Sequence, residues 1–499
     1  MLGVNLEKVS LTALAVMVVL AVPRVQAKDY YIDSQKDFEA INQVTLVPGD
    51  AILLKRGMSF RGMLSPKGNG DESAVVRIST YGRGSRPKIH AGGKHQAGVL
   101  LRNPSYWEVS GLEITNTDGS DKDQGALFGI YVLADGEEKV YRHVYIGDCY
   151  IHDVNGKVAG KQRGGIHVHI KKLKKSIFDD LRIVKNRIVN IGGVGIGNTS
   201  SATKIQFLKS ETKTEYLWTN VYVAGNYIDH TGRNCIIARC SKDAIYEHNI
   251  LANSSRYDTG HSIFCFKTDG IKIQYNEAYG NVGDGNNKDG HGESDRGGFD
   301  ADFNCVNTYI QYNYSHDNLW FCGIMKKPSR NIVIRYNISQ NEKQGIYFYG
   351  FNSSTDVENV HIYNNTHYTR KGLKVSVFPE GRTPINTVFE NNIFYFEDEG
   401  DWGRAAKKAV NTHFNNNVYV GIKPHASDEN AITTDPQFRS PGRAGTDINL
   451  KTMRELLGYR LKSNSQALGA AKTIEENGGI DFFKNKLNPQ KASVGAVEK

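Results

Sequence analysis

The sequence has little proline and little cysteine, and both shortages exclude classes of protein. Its 499 residues include 12 Pro and 6 Cys, against 51 Gly, 26 Tyr and 20 Phe. Few prolines and many aromatics exclude a disordered or collagen-like chain and favour a β protein whose turns are made by glycine. The cysteines form no CxxC pair and no Cys/His zinc spacing, which excludes a small zinc domain.

The cysteines stand at positions 149, 235, 240, 265, 305 and 322, and most lie inside apolar strand patterns. An oxidising compartment would permit disulfides. A position within an apolar strand favours buried free thiols instead. We therefore predict free, buried thiols.

After residue 27 the sequence lacks any apolar run long enough to span a bilayer. Near the start, Lys8 is followed by LTALAVMVVLAV and then by VQA ending at Ala27, which is typical of a signal peptide cleaved there. The formal charge of +9 is a mild basic excess without the basic blocks of a nucleic-acid-binding protein. We expect an exported monomer, periplasmic or secreted, with no membrane span and no nucleic-acid partner.

One pattern recurs along the chain: an apolar residue, any two residues, and then Asn. The Asn stands at positions 186, 226, 249, 276, 313, 337, 365, 392 and 417, and Cys149 takes the equivalent place in IGDC. Successive positions lie about 25 residues apart, with three intervals of about 40, which indicates a solenoid. The segments between them are rich in Val, Ile, Tyr and Phe and lack helical periodicity, so we predict coils of parallel strands. Asn tolerates the left-handed backbone of a sharp corner, and stacked Asn amides can hydrogen-bond between coils.

Both ends of the repeat carry further signatures, PGDAILLKRGMSFRGM at 48–63 and DPQF followed by YRLKSNSQALGA at 435–470. With the Asn-stacked coils, they resemble the pectate-lyase-like right-handed parallel β-helix superfamily, in particular its exported bacterial polysaccharide-degrading enzymes. The resemblance covers nearly the whole chain after the leader. It implies an all-β fold, a single-stranded right-handed parallel β-helix (solenoid) with inserted loops and with capping N- and C-terminal segments. It leaves the reaction open, because the superfamily holds both lyases and hydrolases.

The predicted organisation follows from the repeat and the two ends. We place a signal peptide at 1–27, N-terminal capping strands and first coils at 28–100, β-helix coils at 101–420 and a C-terminal wrap at 421–499. Loop insertions are expected at about 150–165, 200–218 and 282–297, where the spacing of the repeat lengthens.

One strand of each coil can be aligned with its neighbours, because a strand alternates its faces. We take Ile166, Val194, Ile236, Ile263, Phe299, Ile324 and Ile346 as inward residues. The outward pairs are then His167/His169, Gly195/Gly197, Ile237/Arg239, Phe264/Phe266, Asp300/Asp302, Met325/Lys327 and Tyr347/Tyr349. A shift of one residue in the strand that contains Phe264 would turn Lys267 outward in place of Phe266. This aromatic, basic and acidic strip suits a long sugar ligand, and we predict that its His, Phe and Tyr residues bind substrate.

Asp300 and Asp302 stand two residues apart on one strand, which separates them by about 6.6 Å at about 3.3 Å per residue. This spacing is close to the ~6.5–9.5 Å between acid and base in inverting glycosidases. The alignment puts Asp300 between Phe264 and Met325, which disfavour its charge. It puts Asp302 beside Lys327 and beside Phe266 or Lys267, and a cation favours its charge. We predict Asp300 as the general acid and Asp302 as the base.

The segment 281–297, NVGDGNNKDGHGESDRG, runs directly into the Asp300 strand and must lie beside it. We predict that its His291 and Arg296 contact the substrate. Its oxygen ligands could bind calcium, although their spacing matches no EF-hand loop. The candidate metal ligands are Asp284, Asp289, Glu293 and Asp295. A flexible lid with solvated charges is the alternative.

Two other functions stay open. β-Elimination of a uronic-acid polysaccharide needs a Lys or Arg base, here Lys327, Lys267 or Arg239, and a cation that neutralises the sugar carboxylate. Asp300 and Asp302 would then hold Ca²⁺, which the hydrolase does not require. The third possibility is non-catalytic carbohydrate binding by the β-helix. Such a protein would have a uniform outward face, without a pair of charged residues such as Asp300 and Asp302. We favour acid/base hydrolysis of a polysaccharide or oligosaccharide, and the basic balance of the chain suits an anionic one.

Overall fold

A computed structural model describes residues 26–158, 160–209, 211–283, 295–325, 328–350, 357–379, 384–404 and 409–498. The predicted signal peptide lies almost entirely outside these ranges. Two short α-helices are present in them, α1 (Gln35–Ala40) and α2 (Leu450–Leu456). A 3-10 turn follows each of them, Ile41–Gln43 and Leu457–Tyr459. No helix in the described ranges has both the length and the apolar character needed to cross a bilayer.

Most strands belong to three long parallel sheets, to which successive coils contribute one strand each. The first sheet contains β1 (Asp29–Ile32), β3 (Ala51–Lys55), β6 (Val76–Tyr81), β9 (Trp107–Ser110), β12 (Val140–Gly147), β15 (Ile177–Val184), β20 (Thr219–Ala224), β23 (Ile245–Glu247), β26 (Thr268–Asp269), β27 (Lys272–Gln274), β30 (Cys305–Gln311), β33 (Ser329–Arg335), β36 (Val357–Tyr363), β38 (Thr387–Glu390) and β40 (His413–Asn415).

The second sheet is built in the same way. It contains β4 (Ser59–Arg61), β7 (Lys88–His90), β10 (Glu113–Asn116), β13 (Tyr150–Val154), β16 (Arg187–Ile191), β21 (Tyr227–Thr231), β24 (Ile250–Ala252), β28 (Glu277–Tyr279), β31 (Tyr314–His316), β34 (Ile338–Gln340), β37 (Thr366–Thr369), β39 (Ile393–Phe396) and β41 (Val418–Val420).

The third sheet carries the strands that were aligned above, and we call it the site sheet. It contains β8 (Ala97–Arg102), β11 (Phe128–Ala134), β14 (Gly164–Ile170), β17 (Val194–Ser200), β22 (Ile236–Arg239), β25 (Ile263–Phe266), β29 (Gly297–Ala301), β32 (Trp320–Ile324) and β35 (Gly345–Tyr349). Two separate pairs complete the strands: β2 (Thr45–Leu46) with β5 (Lys67–Gly68), and the antiparallel hairpin β18 (Lys204–Phe207) with β19 (Thr212–Glu215). Because the inward side chains of all three sheets meet in one continuous core, the architecture is a parallel β-helix, as predicted.

A ladder of buried Asn side chains joins the coils, as the sequence predicted. Each amide nitrogen donates to the amide oxygen of the next coil, for example Asn276 to Asn313 at 3.1 Å and Asn313 to Asn337 at 3.0 Å. The ladder runs from Asn186 to Asn417 and ends on the carboxylate of Asp428. Every buried amide therefore has partners in the neighbouring coils, which fixes the register of the stack.

The left-handed corner residue differs from the prediction. Positive φ belongs to the residue before each ladder Asn, such as Tyr275 (54°), Tyr312 (56°) and Tyr336 (51°). The Asn itself has ordinary backbone angles. Its contribution to the corner is therefore the side-chain amide ladder rather than a tolerance of left-handed backbone.

All six cysteines are buried and free, as predicted.

The C-terminal segment that contains α2 packs against the outer face of the second sheet. Tyr459 there donates to the Gln340 side chain at 2.9 Å, and Leu461 and Val494 join a cluster with Tyr314 and Ile338. This segment therefore covers a sheet face that would otherwise be exposed.

Candidate active site

The site sheet sets the register of the outward strip. One column of paired residues crosses the sheet in this order: Leu100, Tyr131, His167, Gly197, Ile237, Phe264, Asp300, Gly323 and Phe348. Phe264 therefore flanks Asp300 on one side, as predicted. On the other side the neighbour is Gly323 and not Met325. The sequence alignment was two residues out there, because Cys322 rather than Ile324 pairs with Phe299.

Two predicted substrate-binding residues, Tyr347 and Tyr349, point into the core. Both are fully buried, and the Tyr347 hydroxyl lies 2.8 Å from His367 Nε2 while the Tyr349 hydroxyl lies 3.0 Å from Thr387 Oγ1. Ile346 is also a core residue, so two consecutive side chains point inward at the start of β35 and strict alternation begins one residue later than assumed. The outward residue of this strand is Phe348.

A displacement of two residues, like that of β32, affects β17. Val194 was taken as inward, but it packs with Ile237 and Phe264 in a separate cluster. Its strand pairs Ile196 with Ile166 and Ile236, and Ile196 is the core residue. Gly197 and Thr199 therefore stand where Gly195 and Gly197 were predicted.

Asp300 is buried beside a histidine that the sequence analysis did not single out. The side chain of Asp300 is 2% exposed, and its Oδ2 lies 3.5 Å from Nε2 of His261. The same nitrogen lies 3.9 Å from Oδ1 of Asp295, whose side chain is 20% exposed. Nδ1 of His261 accepts the backbone N–H of Gly297 at 3.1 Å. One imidazole thus stands between two carboxylates at the start of β29.

Glycines make room for this cluster. A Cβ on Gly323 would lie 2.9 Å from Asp300 Oδ1 and 3.0 Å from the His261 ring, and a Cβ on Gly297 would lie 2.8 Å from His261 Nδ1. The Trp320 indole also lies against Gly297, and its ring stacks on Phe348 at 4.8 Å. Carboxylates, imidazole and indole are therefore packed too closely to admit a side chain at either glycine.

Asp302 follows the end of β29 on the side nearer the basic residues. Its backbone N–H donates to Cys265 O at 3.2 Å, so it continues the ladder, and the residue is 6% exposed. Burial lowers the pKa of Arg239, and the charge of Asp302 acts in the opposite direction. Lys327, its predicted neighbour, lies outside the described residues. In the described structure, Arg239 is one cation with which Asp302 interacts electrostatically.

Arg239 and Lys267 lie over the aromatic part of the strip. The Arg239 guanidinium is 5.8 Å from the ring centre of Phe264 and 5.6 Å from that of Phe266, and Lys267 Nζ is 5.8 Å from Phe266. Lys267 also donates to the carbonyl of Thr203, at the base of the β18–β19 hairpin, at 3.2 Å. In the described part of the chain, neither cation has a carboxylate within ion-pair distance. Phe266, Arg239 and Lys267 are all partly exposed.

The two predicted histidines lie farther along the strip. Burial lowers the pKa of His167 to about 3, and burial also lowers the pKa of His169. His169 Nδ1 lies 2.8 Å from the Tyr131 hydroxyl. Both rings are therefore neutral at ordinary pH and belong to an aromatic cluster with Phe128 and Tyr131.

Several predicted site residues lie outside the described residues: Asp284, Asp289, His291 and Glu293. Arg296 is described and is buried at the entrance to β29, next to Gly283. Among the described side chains there is no group of three or more His, Cys, Asp or Glu residues that could hold a metal ion. The calcium proposal therefore has no ligand set in that part of the chain.

Comparison with known proteins agrees with this architecture. A lacto-N-biosidase of Bifidobacterium longum subsp. longum is 27% identical over 577 aligned residues, which span 93% of this chain but only 35% of that protein. The solved GH136 lacto-N-biosidase of Eubacterium ramulus superposes with a TM-score of 0.56 at 20% identity, over 71% of this chain and 63% of that one. This chain has the parallel β-helix fold of that enzyme.

A PL6 family alginate lyase, AlyGC, shares the β-helix as well, with a TM-score of 0.50, 13% identity and coverage of 93% of this chain and 60% of that one. No protein-family model matches the chain. The fold is therefore common to a glycosidase and a lyase, and the reaction must be argued from the side chains.

A large cavity elsewhere in the β-helix has a structural explanation. Its volume is about 1090 Å³, and it lies at the C-terminal end of the coils beside Trp402 and His425. Trp402 packs against Phe378 and Phe414 of the core, and its indole nitrogen donates to Lys423 O at 2.8 Å. These rings close the last coil of the core beside this cavity.

Sequence reasoning missed His261 and gave Asp295 a different role. HSIFCFKT at 261–268 was aligned correctly, but His261 precedes its inward anchor Ile263 and was not considered. Asp295 was a metal candidate, and its contact with His261 depends on how the chain enters β29. The signal that could have found the pair is the alignment itself, since it places the residues before Ile263 beside those before Phe299.

Proposed function

We propose that this protein is a glycoside hydrolase that cleaves a polysaccharide or oligosaccharide at the Asp295–Asp300–Asp302 cluster of the site sheet. The observation that carries the proposal is the contact of Asp295 and Asp300 with one nitrogen of His261 at the start of β29. Asp302 follows the other end of the same strand, and Arg239 and Phe266 lie on neighbouring strands of the site sheet. Glycosidases need two carboxyl groups with different environments, one as acid and one as base or nucleophile.

The environments of the carboxylates differ in the required way. Asp300 is buried among Phe264, Gly323 and His261, whereas Asp302 acts electrostatically on Arg239. We propose Asp300 as the acid that protonates the leaving oxygen and Asp302 as the base that activates water. Arg239 interacts electrostatically with Asp302, and a neighbouring cation favours the charged form of a carboxyl group.

Asp295 is the second candidate for the acid. Its side chain is 20% exposed against 2% for Asp300, and both contact the same nitrogen of His261. An acid must reach the glycosidic oxygen, which favours the more exposed group. In that arrangement Asp300 would hold His261 in place.

Similarity to two lacto-N-biosidases supports hydrolysis over the other reactions. The aligned region spans 35% of the length of the Bifidobacterium protein, so activity and substrate are carried over as proposals. We propose further that the substrate is acidic, because Arg239 and Lys267 face it. The export, cleavage near Ala27 and monomeric state expected from the sequence belong to the same proposal, and N-terminal sequencing and light scattering test them.

Substitution of each carboxylate tests the assignment. Asp302→Asn is expected to lower kcat by about 10²–10⁴-fold, the usual contribution of an acid or base group. The activities of Asp300→Asn and Asp295→Asn are then compared on substrates with and without an activated leaving group. The general acid is the residue whose substitution lowers activity on the natural substrate but not on the activated one. Asp398→Asn, an exposed carboxylate beside Gly372, is the matched control. Full activity of Asp302→Asn would contradict the proposal.

β-Elimination is the second candidate function, because Lys267 and Arg239 stand beside the same cluster. In that reaction one of them removes the proton next to the sugar carboxylate. The predicted base Lys327 and the loop ligands of Ca²⁺ would then participate. Elimination leaves an unsaturated uronate that absorbs in the ultraviolet, whereas hydrolysis does not, so the products distinguish the two.

A further inference from the structure

We infer that His261 is a positioning residue that holds the Asp300 and Asp295 carboxyl groups around one N–H and so governs proton delivery to the leaving group. The inference rests on the proposed hydrolase function and deepens it. Nothing in the sequence pattern assigns a role to His261, and its position just before β25 gives it no part in the sheet ladder.

The tautomer of His261 follows from the partner of its Nδ1. Its Nδ1 faces the backbone N–H of Gly297 at 3.1 Å and therefore acts as an acceptor. A neutral imidazole that accepts at Nδ1 carries its proton at Nε2. The ring thus presents an N–H donor, and the direction of that donor is set by the first residue of the Asp300 strand.

The Nε2 atom of His261 lies between two carboxyl groups. Nε2 lies 3.5 Å from Asp300 Oδ2 and 3.9 Å from Asp295 Oδ1, with the imidazole and Asp300 both 2% exposed. A buried N–H between two carboxyl groups can satisfy only one of them fully. The better-bound carboxyl group is stabilised as an anion, and the other is left as the more ready proton donor.

His261 is held tightly by the groups that surround it. Gly323 and Gly297 leave no free space around the ring, since a Cβ at either position would lie within 3.0 Å of an atom of His261 or Asp300. The His261 carbonyl also accepts the side-chain amide of Asn234 at 2.5 Å. Backbone, ring and carboxylate are therefore held from several directions, which is what a positioning group needs.

Substitution of His261 by Gln or by Asn distinguishes a positioning role from a purely packing role. His261→Gln can return an N–H to the place of Nε2, whereas His261→Asn can return only the acceptor to the place of Nδ1. We expect His261→Asn to lower kcat about 10²-fold or more with little change in KM. His261→Gln should keep at least tenfold more activity than His261→Asn, and thermal unfolding should show both variants folded.

The dependence of the activity loss on the leaving group also distinguishes the two roles, because damage to packing would lower activity on all substrates alike. The sugar that the wild-type enzyme releases is first identified. Activity is then measured on the dinitrophenyl glycoside of that sugar and on the natural substrate, because an activated leaving group needs no general acid. His261→Asn should lose much more activity on the natural linkage than on the dinitrophenyl glycoside. Equal losses on both substrates, or equal activities of the Gln and Asn variants, would overturn the inference.

The outcome for Asp302→Asn keeps the two proposals apart. If that variant is inactive while His261→Asn keeps full activity, the hydrolase stands and the positioning role falls. If Asp302→Asn is fully active, the proposed hydrolase itself falls, and the inference about His261 falls with it.

Discussion

Gly323 pairs with Asp300 across β29 and β32, and a Cβ on the glycine would lie 2.9 Å from the Asp300 carboxylate. The same Cβ would lie 3.0 Å from the His261 ring. The sequence alignment predicted Met325 at this position, but the space beside Asp300 does not admit a side chain. The lack of a side chain at Gly323 therefore makes room for the Asp300 carboxylate and the His261 ring.

Gly323→Ala should displace Asp300 and reduce kcat at least tenfold, because neither the carboxylate nor the packed imidazole can move away freely. The cost in folding free energy should be about 1–3 kcal/mol, as for other overpacked sites. Steady-state kinetics and urea unfolding measure the two effects. Gly445→Ala is the control, since a Cβ there meets only Glu455 at 3.8 Å. A fully active Gly323→Ala would contradict the geometry.

Asn313→Ala should destabilise the coil stack without touching the site. The amide accepts from Asn276 and donates to Ile273 O and Asn337, at 2.9–3.1 Å, and all of these groups are buried. Leaving them unsatisfied should lower the free energy of unfolding by about 3 kcal/mol. Urea unfolding checks this, with the exposed Asn430→Ala as control. Equal stabilities of the two variants would mean that the ladder contributes little.

Tyr347→Phe tests the corrected register of β35. The hydroxyl bonds His367 in the core, so its removal should lower the free energy of unfolding by about 1 kcal/mol. Substrate affinity should not change, because the ring points into the core and not toward the outward strip. A raised KM would instead return Tyr347 to the substrate-binding strip. Tyr31→Phe, on an exposed ring, is the control.

Glu342 should make stability depend on pH. Burial raises its pKa from 4.5 to about 7, although Ser315 and the Asn318 backbone donate to it. Because the folded pKa is raised, the protonated carboxyl group contributes stability below about pH 4.5. That contribution is lost as pH rises to about 7, which amounts to about 3 kcal/mol.

Glu342→Gln keeps a neutral group at every pH and should flatten this part of the profile. Thermal unfolding at pH 5 and pH 8 measures the difference for the variant and for the exposed control Glu429→Gln. A variant with an unchanged pH profile would show that Glu342 is not responsible.

Arg239→Gln should raise KM about tenfold for an acidic glycan and leave KM for its neutral counterpart unchanged. The expectation follows from a partly exposed guanidinium over Phe264 and Phe266, and charged hydrogen bonds contribute about 1.5–3 kcal/mol. Kinetics with a matched acidic and neutral pair measure it, beside the exposed control Lys451→Gln. Equal effects on both substrates would exclude an acidic group at this position.

The sequence predicted the coil architecture because its signals are local and repeated. The Asn positions and their apolar flanks depend on single corners of the β-helix, and the ladder and the buried free cysteines were confirmed. Phe264 beside Asp300 was also correct, because Ile263 and Phe299 are unambiguous inward residues.

Register failed where strands begin irregularly. Ile346 and Tyr347 both point inward, so counting by alternation moved Tyr347 and Tyr349 to the wrong face. Cys322 rather than Ile324 pairs with Phe299, so the alignment put Met325 where Gly323 lies. His261 could not be found by alternation, because it lies before its strand. Its contact with Asp295 joins two residues that precede β25 and β29, where the alternation of a strand does not apply.

The central claim is that the cluster on β29 hydrolyses glycosidic bonds, and the products of the reaction test it most directly. The mature protein and its Asp302→Asn variant are incubated with a panel of acidic and neutral polysaccharides. New reducing ends and ultraviolet absorbance are followed together. The proposal predicts reducing ends without absorbance for wild type and neither signal for the variant. Absorbance that rises with the reducing ends would contradict hydrolysis and establish elimination.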